Sequence, residues 1–217
     1  MNENFEPTIL PFNKNSADES KMIYESINIS KPLIDNLCTK ENLKSSLCLL
    51  SAVAITLTKY INSSNISILT NIDSDVIPLV FNYENRKKTV NAYMKNIERH
   101  LNHPPHDDES EFYFNFIYGR DVVEEDDNTT LIVNKIPQFY VLKLRFDAYK
   151  YTKSYIKSFL KSIKRVIDQF AEYGIKQLMV KDIELRCEEE IPPFKLLRNP
   201  LVNELLESRV LAEIINF

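Results

Sequence analysis

The chain has 217 residues, 44% of them hydrophobic and 11% aromatic, with 27% charged residues and a formal net charge of −4. That is the balance of one globular domain, large enough to bury about 70% of its chain surface without a disulfide or metal staple, and the acidic excess argues against a nucleic-acid footprint. Gly119 and Gly174 are the only glycines, which excludes every glycine-rich phosphate loop.

Residues 1–20 are polar and extended around Pro7 and Pro11, as a lead-in segment would be. A short helix is predicted over residues 30–37, with Pro32 tolerated in its first turn. From 43 to 61 the apolar residues Leu43, Leu47, Leu49, Leu50, Val53, Ala54, Leu57, Tyr60 and Ile61 cover most of a helical circumference. Such a helix belongs at the centre of a core. The polar run Asn62-Ser63-Ser64-Asn65 stops it, and residues 66–72 then alternate as a strand does. A second strand is predicted over 76–83, where Pro78 points to a sheet edge or a bulge.

Thr89 suits the N-cap of a helix whose apolar side is Val90, Tyr93, Met94, Ile97 and Leu101. Residues 111–118 alternate through Phe112, Phe114 and Phe116 as a half-buried strand, and the acidic stretch 124–127, closed by Asn128, reads as an exposed turn before a strand at 129–133. Residues 138–146 form a further predicted strand. Asp147 is expected to cap the longest helix, with a stripe of Tyr151, Tyr155, Phe159, Ile163, Val166, Ile167 and Phe170 that runs to Gly174. A last strand is predicted over 177–185. Beyond Cys187, Pro192 and Pro193 mark a boundary before a short amphipathic helix carrying Leu201, Leu205, Leu206 and Val210. The expected architecture is α+β, a two-layer sandwich of a mixed β-sheet covered by helices. Its parts are a lead-in (1–20), the folded lobe (21–187) and a linker (188–217).

Candidate chemistry is sparse. His100, His103 and His106 all lie within seven residues and run into Asp107, Asp108 and Glu109. His100 is expected to close a helix, where a cation suits the negative pole of the dipole. Pro104 and Pro105 forbid the helix that would put His103 and His106 on one face as metal ligands. Cys38, Cys48 and Cys187 contain no CxxC and read as reduced thiols, Cys48 as a core residue of the most apolar helix, Cys38 near a helix junction and Cys187 after the last strand; a nucleophilic thiol needs a thiolate-favouring setting and a nearby histidine. The acidic runs at 107–108, 124–127 and 188–190 read as solvated turns, and the aromatic stripe from 151 to 173 as helix packing rather than a ligand groove. No metal or cofactor is expected. The residues after Met1 form no basic apolar leader, and no uncharged apolar run approaches the ~20 residues of a membrane span. A cytoplasmic protein follows as the expectation.

This order of elements, with the residues at its joints, resembles the C-terminal lobe of a nonribosomal peptide synthetase condensation domain, of the chloramphenicol-acetyltransferase-like fold. Ile9-Leu10-Pro11 resembles the entry to that lobe. Residues 44–73, KSSLCLLSAVAITLTKYINSSNISILTNID, resemble its buried helix and following strand. The run IPLVFNYENRKKTVNAYMKNIERHLNHPPHDD is similar to its strand with a central Asn, its next helix and its His-Gln-Asp segment, with Asn82 and His106-Asp107 at the matching places. FYFNFIYGRD looks like the aromatic strand that follows, and residues 142–185 like the closing strand, long helix and final strand.

In that family acyl transfer depends on a His-His-x-x-x-Asp-Gly motif in the other lobe, whose second His serves the attacking amine in a tunnel between lobes. This sequence has neither adjacent histidines nor an Asp-Gly pair, and the stretch between Asp73 and Val76 is shorter than the family's. The resemblance therefore implies a non-catalytic half domain at the N-terminus of a synthetase, docking on a neighbouring adenylation or carrier domain or pairing as a homodimer. The alternative it leaves open is an acyltransferase half, active with a separate N-terminal lobe or through His106 in a dimer.

Overall fold

Nine residues, Met22–Ser30, form a strand (β1) whose inward side chains are Ile23, Ile27 and Ile29 and whose outward ones are Tyr24, Ser26 and Asn28. It is the sheet's edge and has no counterpart among the elements expected from sequence. In the computed structural model the described residues are 8–11, 19–63, 65–72, 75–82, 87–103, 113–119 and 128–185. They all lie within one compact unit, Met1–Leu185. The linker and amphipathic helix expected over 188–217 and the acidic turn at 124–127 fall outside the described residues.

After β1 come α1 (Lys31–Glu41), α2 (Ser45–Ile61), β2 (Asn65–Ile72), β3 (Asp75–Asn82), α3 (Val90–Asn102), β4 (Phe114–Tyr118), β5 (Thr129–Lys135), β6 (Phe139–Asp147) and α4 (Lys153–Tyr173). The strands make one mixed sheet in the order β1-β6-β5-β4-β2-β3. The pairs β1–β6, β6–β5 and β2–β3 are antiparallel, and β5–β4 and β4–β2 are parallel. Pro78 sits in β3, the other edge, where a missing ladder donor is tolerated. The registers Ile29 opposite Tyr140, Val133 opposite Leu142 and Phe116 opposite Leu131 put these side chains on the face that meets the helices. The expected two-layer α+β arrangement is what the chain adopts.

At its centre lies α2, in which every residue from Ser46 to Thr58 is buried. A polar side chain there must find a partner. Ser51, Thr56 and Thr58 do so by donating to the carbonyls of Leu47, Ala52 and Ala54, four residues back, at 2.7, 2.7 and 2.8 Å. Both α1 and α2 end on asparagines, Asn42 and Asn62, each with φ 53°, a left-handed conformation that Asn tolerates better than most residues. The expected cap of α3 is present: the Thr89 hydroxyl accepts from the Ala92 N–H at 3.3 Å.

Two local expectations are corrected. The cap of α4 is Thr152, whose hydroxyl accepts from the Tyr155 N–H at 3.2 Å, and the helix begins at Lys153, so Tyr151 lies outside its stripe. The Asp147 carboxylate instead accepts from the Ser20 hydroxyl at 3.0 Å, the Lys21 N–H at 3.3 Å and the Tyr149 N–H at 2.9 Å, which ties the turn after β6 to the entry of β1. Residues 177–185 form no strand. Met179 makes a single bridge to Thr89, residues Val180–Asp182 make one 3-10 turn, and Gln169 on α4 holds the backbone of Glu184 with both ends of its amide. Leu178, Val180 and Ile183 still reach the core.

Candidate functional site

His100 lies in the last turn of α3, half-buried, with Nδ1 lacking a hydrogen-bond partner. His103 is the residue that ends the helix. The helix-terminal placing of His100 is thus as expected, while His106 and Asp107 fall outside the described residues. Asn82 is the last residue of β3, opposite Asn65 of β2.

The structure does bring together a polar cluster where α1 and α2 meet the sheet. Asp35 and Cys38 lie three apart on α1, Ser45 and Cys48 open α2, Tyr118 ends β4, and Tyr140 stands near the start of β6. The Asp35 carboxylate accepts from the Lys31 ammonium at 2.5 Å and from the Tyr140 hydroxyl at 3.1 Å. The Lys31 contact does most to hold this carboxyl below the usual aspartate value. Burial pushes the Tyr118 and Tyr140 phenols up, and Lys135 lies 5.9 Å from the Tyr140 ring centroid.

Cys38 and Cys48 are both free and buried. Hydrogen bonding from Cys48 holds the Cys38 thiol below the usual cysteine value, whereas the bond to Cys38 and complete burial push Cys48 well above it. Among the described residues no imidazole acts on either thiol. Sequence reading saw Cys48 as a core residue and Cys38 as a junction residue, and both places are confirmed. It missed the pairing and the roles of Asp35, Ser45, Tyr118 and Tyr140. The one available signal was the spacing of Asp35 and Cys38 on a single helix face.

A second cluster closes the opposite region. The Tyr151 hydroxyl donates to the Leu10 carbonyl at 3.0 Å, and burial pushes its phenol up to about 12. Tyr151 stacks on Tyr155 at 6.1 Å, and Tyr60 meets Phe159 edge-on at 5.1 Å. The buried Thr8 hydroxyl takes the Ser67 N–H at 2.5 Å, so the lead-in segment completes hydrogen bonding on β2. On the sheet face away from the helices, the register sets Tyr24, Arg145, Thr130 and Asn115 in one cross-strand row. The Lys143 ammonium lies 4.2 Å from the Tyr24 ring centroid, and the Asn115 amide donates to the Thr130 hydroxyl at 3.4 Å. That face is mixed: Arg145, Thr130 and Asn115 are buried, while Tyr24 and Val76 are 43% and 60% exposed. Among the described residues no group of three or more His, Cys, Asp or Glu is placed to hold a metal, and no single helix is long and apolar enough to cross a membrane.

No protein-family model and no curated protein matches the chain. Solved structures do. A four-domain nonribosomal peptide synthetase bound to AMP and glycine superposes with a TM-score of 0.64 at 11% identity, over 82% of this chain and 19% of that one. The first condensation domain of the calcium-dependent antibiotic synthetase, in complex with a substrate analogue, gives 0.62 at 8% identity over 84% of this chain and 50% of that one. The X-domain from teicoplanin biosynthesis, in complex with OxyB, gives 0.61 at 13% identity over 86% and 53%. The chain spans about half the length of the condensation-type domains it matches and a fifth of the four-domain synthetase. The resemblance read from the sequence holds at the level of fold, which is that of one condensation-type lobe.

Proposed function

We propose that these residues serve as a docking lobe of a nonribosomal peptide synthetase system, the C-terminal half of a condensation-type domain, and contribute no reacting group of their own. The observation that carries this reading is a complete lobe fold combined with a sequence in which the His-His-x-x-x-Asp-Gly motif is absent throughout. A fold alone does not fix a function. Here it is joined by chemistry, because neither buried thiol has an imidazole acting on it among the described residues. Condensation also depends on holding two carrier-bound thioesters in line, and such positioning is worth several kcal/mol of barrier, a task for a channel between two lobes.

The partner in this reading is a neighbouring adenylation or carrier domain. One matched relative is seen with a partner enzyme, which supports docking as a use of this fold. The exposed Tyr24, with the Lys143 ammonium 4.2 Å from its ring, and the exposed Val76 suit a reversible contact between domains, a kind of contact more polar than a permanent interface. The test is an acyl-transfer assay on the purified chain with donor and acceptor groups loaded on carrier proteins. No amide above the uncatalysed background is expected, with or without His106→Ala. Transfer well above background that His106→Ala abolishes would overturn the proposal in favour of the acyltransferase reading, and size-exclusion mass shows whether that activity belongs to a dimer.

A further inference from the structure

Charges on the solvent side of α4 run against the helix dipole. Carboxylates suit the positive N-terminal end of a helix and cations its negative C-terminal end, yet the first turn of α4 holds no acid and its last turn no base. By contrast α1, α2 and α3 each carry a base in the last turn: Lys40, Lys59, and Arg99 with His100. In α4 the cations Lys153, Lys157, Lys161, Lys164 and Arg165 occupy the helix from its first residue onward, and the carboxylates Asp168 and Glu172 come only after them. Lys153, Lys157 and Lys161 stand four apart, so their ammoniums are neighbours on one face and repel one another. All three are exposed, and so are Ser154 and Ser158 beside them. The ion pairs that touch this face lie at its flank and lower end: Lys157 to Glu25 at 3.8 Å, Lys164 to Asp168 at 2.7 Å and Arg165 to Glu172 at 3.7 Å. In the turn before the helix, Lys150 adds a further cation, and Tyr149 next to it is 55% exposed.

We infer that the lysine face of α4 is a docking surface for an acidic protein partner, whose carboxylates line up along the helix. The inference rests on the docking reading and adds to it a contact on the helix layer, with a partner defined by its charge. A face that repels itself and opposes its own dipole costs the free chain stability. A row of carboxylates laid along it relieves both effects, so the face gains most when covered. The occupant is selected by what else the face could take. Insertion into a membrane is closed to α4, because its apolar side, from Ile156 to Phe170, is buried in the core and serines stand beside the lysines. Duplex nucleic acid is disfavoured by the formal charge of −4 on the whole chain. A partner helix with acids four apart repeats every ~6 Å, the same interval as the lysines. Exposed charge pairs of this kind steer encounter and weaken with salt.

The experiment titrates the folded full chain, at low salt, into a fluorescent alanine-rich helical peptide with a glutamate at every fourth position. The same peptide with glutamines, duplex DNA and phosphatidylserine vesicles serve as parallel probes. Binding of the glutamate peptide alone is expected, weakening as salt rises. Lys153→Gln, Lys157→Gln and Lys161→Gln together should weaken it about tenfold, whereas the same neutralisation at the exposed Lys87, Lys88 and Lys95 should leave it within about twofold. Lys153→Glu alone should weaken binding and raise the urea midpoint, because an acid then replaces a base at the N-terminal end of the helix. That opposite pair of effects separates a docking role from a structural one, for which the midpoint would fall. No binding of the glutamate peptide, equal loss from the two lysine sets, or tighter binding of DNA or vesicles would each overturn the inference. Amide formation in the carrier assay would end the docking reading instead, whatever the peptide does.

Discussion

Gln169 offers the sharpest test of how the end of this lobe is held. Its side chain is 2% exposed, its amide nitrogen donates to the Glu184 carbonyl at 2.7 Å and to the Arg165 carbonyl at 3.1 Å, and its oxygen accepts from the Glu184 N–H at 3.0 Å. One side chain thus does for residues 183–185 what a neighbouring strand would do. Gln169→Leu keeps the length and most of the volume while removing both bonds to Glu184. Each is worth about 1 kcal/mol net, and the stranded backbone groups add desolvation cost that the gain in buried apolar surface partly offsets. The net loss is about 2 kcal/mol, which corresponds to a fall of about 1 M in the urea midpoint at an ordinary m-value. Amide exchange localises it: the Glu184 N–H should exchange roughly 30-fold faster in the variant, since 1.4 kcal/mol is about a factor of ten. If residues 177–185 were a strand, their bonds would be main-chain and the substitution nearly silent. An unchanged midpoint together with unchanged Glu184 exchange would refute the clamp.

Phe159 is fully buried and meets Tyr60 and Phe114 edge-on at 5.1 and 6.4 Å, so Phe159→Ala should cost about 3–5 kcal/mol in urea unfolding and Phe159→Leu much less. Asp35 has its carboxyl held low, first by Lys31 and also by Tyr140, so its contribution to stability is fully present above the unfolded value of 3.8 and is lost as pH falls through the lower folded value. Asp35→Asn should therefore flatten the acid limb of a stability–pH curve and change neutral stability by less than about 1 kcal/mol, given its partly exposed pair with Lys31. Superimposable acid limbs would contradict that sign.

The long helices were legible because their patterns are redundant. In α4, Phe159, Ile163, Val166, Ile167 and Phe170 repeat at three and four over about three turns, and Gly174 with φ 75° ends the run. In α2 the apolar residues around most of the helical circumference already announced a central position. Short elements were legible only where one residue decides the matter, as Pro78 decides for an edge. β1 was missed because its inward set contains Glu25 among the isoleucines, and that carboxylate is accommodated by Lys157 at 3.8 Å, a partner far away in sequence. The cap of α4 was misplaced since Asp147 and Thr152 both carry cap-type side chains, and only the tertiary demand of Ser20 and Lys21 on Asp147 separates them. The false strand at 177–185 shows that an apolar run can reach the core without a strand partner, here with Gln169 holding the backbone of Glu184.

These features bear on how, on the docking reading, such a lobe can persist without chemistry of its own. Its cohesion comes from α2 and α4 lying on the sheet, with Tyr140, Phe146, Phe159 and Phe170 fully enclosed, and nothing in that packing draws on the motif that the resemblance assigns to the other lobe. On that reading, loss of the reacting residues imposes no cost on folding, since catalytic groups are seldom those that hold a core together. What persists is then answerable to binding alone. On that reading binding acts on the exposed side chains of the sheet, Tyr24 with the Lys143 ammonium 4.2 Å from its ring and Val76 near the other edge. On the docking reading, changes there should alter partner affinity while leaving the unfolding midpoint in place, and changes in α2 should do the reverse.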